Sequence, residues 1–222
     1  MSEMTLFLLA VAAMAVATLW IIALREHSNI LAQRASLLDA IVPLFSESTV
    51  VVGRDGFPVL DGSLGARRRI RIELIADTLV TRRLPQLWLK QTLLEPGERS
   101  RPSIGALSRP TGAEFYSVVH DLPMFIAPPD TERPILVRGD AAITAEEIER
   151  ANAMFSSLFR DPGVKEAVIT PRGARLIRQV SEGDRGAHLI LRQVRFPLDR
   201  IPQSAVKDGL AELEALNKVF ER

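Results

Sequence analysis

Three groupings of side chains in this 222-residue sequence have types and spacings that do chemistry. Ser204-Ala-Val-Lys207 has the S-x-x-K spacing of serine acyl-transfer enzymes, in which a lysine one helical turn on lowers the barrier to attack by the serine. His120-Asp121 is a titratable pair at the end of an apolar stretch, the composition of an acid/base couple. Arg67, Arg69 and Arg71 alternate with Ile70, Ile72 and Leu74, and Arg82 and Arg83 follow in the same section. On a strand rising about 3.3 Å per residue, the alternating arginines project from one face about 6.5 to 7 Å apart. That face suits the phosphates of anionic lipid or an acidic patch on a partner.

Each grouping has a plainer structural reading. Ser204 serves equally as a helix N-cap with Lys207 exposed, and the Ser-x-Asn and Lys-Thr-Gly companions of acyl-transfer sites are absent from the sequence. His120-Asp121 reads as a polar strand end, and the arginines as a solvated face balanced by neighbouring acids. The sequence also lacks GxGxxG, a Walker A loop, GxSxG and HExxH. The three histidines, His27, His120 and His188, lie far apart in sequence, and there is no cysteine, so neither a metal site nor a cofactor is expected. His188, beside Leu189 to Leu191, reads as a satisfied sheet histidine. Nucleic acid is not an expected partner: net charge is only +1, and no stacking aromatics interleave with the arginines. Arginine outnumbers lysine 24 to 4, which favours planar, bidentate contacts with carboxylates and phosphates. Residues 54–109 carry a net +5, while the sections before and after are each −2.

The elements that must position these groups begin with Thr5 to Leu24, twenty positions without a charge, proline or glycine. About 20 apolar residues in a helix cross a hydrocarbon core of about 30 Å, so the run reads as a transmembrane helix after a four-residue tail. The leader lacks Lys and Arg and the run ends in bulky residues, the pattern of an uncleaved signal-anchor rather than a cleaved signal. Arg25 and Arg34 follow the span and no cation precedes it, which places the C-terminal part in the cytoplasm. Ala10, Ala13 and Ala17 share a helical face that lets another helix approach. Residues 25–45 read as an amphipathic stalk, helical to about Val42, with Ile30, Leu37 and Leu38 on a stripe at heptad spacing. The stripe packs either on the chain's own domain or on a second copy or partner.

The remainder reads as α+β. Residues 46–113 form a β-rich basic section: a β-branched run at Thr49 to Val52, turn signals at Asp55-Gly56 and Asp61-Gly62, the arginine strand, Gln86 to Leu94, and a long exposed loop over 95–113 marking a subdomain boundary. Residues 114–222 begin with a strand at Glu114 to His120, a proline-punctuated connection and a short edge strand at Pro134 to Arg138. An α-β-β-β-α unit follows. Thr144 to Glu147 is a capping box for its first helix. Lys165 to Ile169, Ala174 to Val180 and Ala187 to Phe196 make an antiparallel meander, and Gln203 to Phe220 is the last helix. The expected role is that of a membrane-anchored, non-catalytic accessory or scaffold subunit with a protein or lipid partner. The alternative is a membrane-tethered hydrolase or transferase using Ser204 and Lys207 or His120 and Asp121.

Overall fold

Without a helix breaker from Thr5 onward, the N-terminal run propagates as helix well past its apolar part. The computed structural model describes residues 3–65, 68–78, 83–191 and 193–221, and helix α1 occupies Glu3–Ala35 with none of its 33 residues buried. At about 1.5 Å per residue, its apolar part alone measures about 30 Å. The chain therefore has one N-terminal helix long and apolar enough to cross a membrane.

The helix stops at Ala35, seven residues short of the expected Val42. From there the backbone tightens into turns, with Leu37 N–H bonding Arg34 C=O at 3.2 Å, Ile41 N–H bonding Leu38 C=O at 3.0 Å, and a 3-10 turn at Val42–Leu44. Tightening swings Leu37, Leu38, Ile41 and Phe45 together into the main core, where a continued helix would have spread them along a stripe.

Among the described residues the sheet has nine strands: β1 (Ser48–Val52), β2 (Pro58–Leu64), β3 (Arg68–Asp77), β4 (Gln86–Leu94), β5 (Ile104–Ser108), β6 (Met124–Ile126), β7 (Ile135–Gly139), β8 (Val164–Thr170) and β9 (Gly173–Glu182). Their order is β1-β2-β3-β4-β9-β8-β5-β7-β6, every pair antiparallel. With helices α2 (Ala145–Leu158), α3 (Arg185–Leu191) and α4 (Gln203–Lys218), the fold is α+β. One face of the sheet is the dry core. Ile70, Ile72 and Leu74 of β3, Leu87, Leu89 and Leu93 of β4, and Ala174 and Leu176 of β9 meet Ala151 and Phe155 of α2 and Val206, Leu213 and Leu216 of α4 there. Helix α4 lies so close that a Cβ on Gly209 would sit 1.9 Å from Gln91 Oε1, and the buried Gln91 amide donates to Val206 C=O at 3.1 Å.

Several expected elements differ. Asp61-Gly62 is not a turn but the middle of β2, where the glycine makes room for Phe45: a Cβ there would be 3.0 Å from Phe45 Cγ. The expected loop over 95–113 contains β5, all five residues of which are buried between β8 and β7. A short strand covered on both faces shows no alternation, which is why its sequence, IGALS, gives no signal. The sheet thus runs unbroken through both expected sections, since β4 pairs with β9. Residues 114–120 are irregular, ending in a 3-10 turn at Val119–Asp121. The strand expected at Pro134 to Arg138 forms as β7 but is interior; the edge is β6. Ala187 to Phe196 is not a third meander strand. Asp184 caps this segment, its carboxylate accepting Ala187 N–H at 2.6 Å and its C=O accepting His188 N–H at 3.0 Å, so α3 forms instead. His188 accordingly lies on a helix, not in a sheet. The capping box at Thr144 and Glu147 is present with both reciprocal bonds.

Candidate functional site

The face of the sheet away from the core is built by the strand residues of opposite parity, and its two halves differ. Over β4, β9, β8 and β5 it is roofed by residues 109–122. Trp88, Tyr116 and Ile177 form one apolar cluster under that roof, and Leu107, Val119 and Val168 form another. Between them lies a charged clasp. Lys165, buried, donates to Ser108 C=O at 2.8 Å, Arg109 C=O at 3.0 Å and Glu114 Oε1 at 2.8 Å. Glu114 also accepts from Thr111 N–H at 2.8 Å, Thr111 Oγ1 at 2.9 Å and Gly112 N–H at 2.9 Å, and its Oε2 lies 3.3 Å from His120 Nε2. Burial alone would raise the Glu114 pKa; the bonds from Lys165 and Thr111 outweigh it and hold the carboxyl at about 2. Burial pulls the Lys165 ammonium down, against the pull of Glu114.

Beside this pair, Glu166 takes two bonds from Arg175 on Oε1, at 2.6 and 2.9 Å, and Arg175 reaches Tyr116 C=O at 3.3 Å. Burial pushes the Tyr116 phenol up, and Asp77 adds to the shift. Glu166 Oε2 and Trp88 Nε1 have no hydrogen-bond partner among the described residues. A carboxylate held at about 2 and saturated with donors is a poor proton carrier near neutrality. What this geometry does is pin the 109–122 segment to the sheet.

The expected catalytic pairs are not assembled. His120 faces Glu114 rather than Asp121, which is exposed. Ser204 is not the cap: Pro202 occupies the N-cap of α4, and Ser204 and Lys207 are exposed without a hydrogen bond between them. Among the described residues, no three His, Asp or Glu side chains converge as a metal site would need.

Of the five expected binding arginines, Arg67 and Arg82 lie outside the described residues. Arg69 and Arg71 are exposed on the outer face of β3, as the alternation implies. Arg71 is engaged with Asp61 at 3.3 Å and Glu73 at 3.5 Å, and Glu73 also holds Lys90 at 2.6 Å, so this half of the face is of mixed charge. Arg69 makes no ion pair among the described residues. Arg83 is exposed at the opposite end of β3, just before β4. Ala10, Ala13 and Ala17 are exposed on α1; Ile30 is half-buried; Leu37 and Leu38 lie in the chain's own core, so the stripe is consumed internally at those two positions.

The strand ends sort the arginines in a way the sequence does not show. One end of the sheet, formed by Val52 and Pro58, Asp77 and Gln86, and Glu182, meets α1 and is the stalk end. A Cβ on Gly56 would lie 2.9 Å from Leu31 of α1, and Arg34 donates to Asp55 C=O at 3.3 Å and Val194 C=O at 3.0 Å. The other end, at Leu64 and Arg68, Leu94 and Gly173, lies about 26 Å away along β4. There Arg68 pairs with Glu214 at 3.4 Å, Arg99 with Glu95 and Glu221, and Arg172 with Glu98 at 2.7 Å. Arg101 spans Thr170 C=O, Gly173 C=O and both the C=O and side chain of Asn217. At the stalk end Arg54, Arg83, Arg185 and Arg200 make no ion pair or side-chain hydrogen bond among the described residues, and all four are exposed. No signal in the sequence pairs Arg195 with Glu26, 169 positions away, or groups these four.

No family model, no curated protein and no solved structure matches this chain.

Proposed function

We propose that the chain is a single-pass membrane-anchored protein whose α+β domain works by binding, as an accessory or scaffold subunit held at the bilayer surface. One observation carries this reading: α1 runs as one helix from a bare apolar span to Arg34, which is hydrogen-bonded to the domain, and the turn directly after it enters the core at Leu37, so the domain is mounted on its anchor without a linker. A rigid mount suits a part that must present a surface at fixed height, because no ordering of a flexible tether is left to oppose docking. The saturated clasp supports binding over catalysis, since its ionisable groups are already committed to one another. The positive flank of the span favours a cytoplasmic domain. The tethered-hydrolase alternative rests on Ser204 and Lys207 sharing an exposed face of α4 and on His120 with Asp121, of which His120 is turned to Glu114 of the clasp.

The test is mild-detergent extraction of the tagged full-length chain. A stoichiometric partner or lipid that is retained by Ser204→Ala and His120→Ala variants, both folded and unchanged in phenotype, supports binding. Loss of function in either variant with stability and membrane association unchanged points to the enzyme. A reporter fused after Arg222 that is active only outside the cytoplasm overturns the orientation.

A further inference from the structure

We infer that the stalk end of the domain rests on the bilayer itself, with the α3 segment in the headgroup layer and the unpaired arginines on anionic phospholipid. This rests on α1 spanning the membrane, as proposed above. The domain does not begin where the stalk ends; it runs back along the stalk to the root of the span. Arg195 pairs with Glu26, and Gln193 and Val194 line one groove with Ala23, Glu26, His27 and Ile30. Ala23 belongs to the apolar run. Glu26 is two residues past the apolar run, so its partner Arg195, and with it Gln193, lies near where the span leaves hydrocarbon.

Leu189 is four residues earlier. Four residues of chain reach at most about 14 Å, which bounds its distance from Gln193. Its side chain is 62% exposed, an apolar group facing out where water gives way to lipid. Arg185 stands one helical turn before it, and Arg54 on the β1–β2 turn and Arg83 before β4 lie at the same end of the sheet, none with an ion pair among the described residues. The acids at this end are largely engaged: Glu26 with Arg195, Asp184 in capping α3, Asp199 with Gln33 at 3.4 Å, and Asp55 in closing its own turn on Phe57 N–H at 3.1 Å. Of these, Glu26 is neutralised by a cation; Asp184, Asp199 and Asp55 accept uncharged donors and keep their charge, as Glu182 and Asp39 do, so among the described residues the arginines are without ion pairs but not in excess. Unpaired arginines beside an exposed leucine suit a surface that supplies both phosphates and acyl chains. At the far end Arg68, Arg99 and Arg172 are neutralised by the chain's own acids, with Arg69 the exception.

The sequence contains no cysteine, so single-cysteine labelling is clean. Full-length Leu189→Cys, Met14→Cys and Gly97→Cys proteins carry an environment-sensitive fluorophore in phosphatidylcholine vesicles with or without phosphatidylglycerol, each containing spin-labelled lipid. Gly97 is an exposed far-end position where a Cβ meets nothing within 4 Å. The inference expects position 189 to be quenched by shallow spin labels, about twofold more with phosphatidylglycerol than without, and the difference to vanish in high salt or with Arg54→Glu, Arg83→Glu and Arg185→Glu combined. Position 97 stays unquenched. Quenching at 189 no greater than at 97, or equal in both lipid compositions, overturns the inference. Absence of deep-label quenching at position 14 instead overturns the anchoring reading on which it stands.

Discussion

The two ends of the sheet handle charge in opposite ways. At the far end arginines are spent on the fold: Arg99 and Arg101 tie the 95–101 segment to the C-terminus of α4, and Arg68 and Arg172 pair with nearby glutamates. At the stalk end Arg195 pairs with Glu26 and Arg34 with backbone carbonyls, but Arg54, Arg83, Arg185 and Arg200 are exposed without an ion pair among the described residues. Burial of a charge is tolerated only when it is paired and hydrogen-bonded, and exposure of one costs little. The far end thus shows which charges the domain needs for stability, and the stalk end shows charges it does not need for that purpose.

The largest effect is expected from Glu114→Gln, which leaves the Lys165 ammonium buried without its counter-charge. Breaking a buried pair this way costs about 3–5 kcal/mol, measured by denaturant unfolding in detergent. The double change Glu114→Leu with Lys165→Met should recover most of the loss. The pH dependence follows in size. Glu114 is held at about 2 against an ordinary 4.5, so its contribution is complete above pH 4.5 and drains as pH falls from 4.5 toward 2. Its linkage amounts to about 3 kcal/mol. A Glu114→Gln protein should show a correspondingly flatter acid limb.

Smaller effects separate the two ends. Arg101→Ala strands the Asn217 and Gly173 acceptors and should cost about 2 kcal/mol. Arg185→Ala, with nothing to lose inside the fold, should change stability by less than about 0.5 kcal/mol while weakening the association of the stalk end with anionic vesicles. Equal destabilisation by the two substitutions would erase the contrast between the ends.

The sequence showed most plainly those parts of the molecule that have a local signature. The uninterrupted apolar run of α1, the alternation of β3, the Thr144–Glu147 box and the stripe of α4 all report themselves through neighbours a few residues apart. β5 did not, because a fully covered five-residue strand has no alternation, and α3 did not, because its cap Asp184 lies in a run of turn-forming residues. The clasp escaped for a different reason: Glu114 and Lys165 are 51 positions apart and meet only because residues 109–122 fold over the sheet. Of the arginine group, Arg69 and Arg71 were legible as a face, but Asp61, Glu73 and Lys90 come beside them only through strand register.

The central claim is that this domain is mounted on an uncleaved membrane anchor. It is tested most directly by washing membranes from cells expressing the full-length chain with alkaline carbonate and measuring the intact mass of the protein in each fraction. The account predicts that the chain stays in the membrane pellet with residues 5–24 still attached. A soluble chain, or one whose mass shows the N-terminal segment removed, would contradict it.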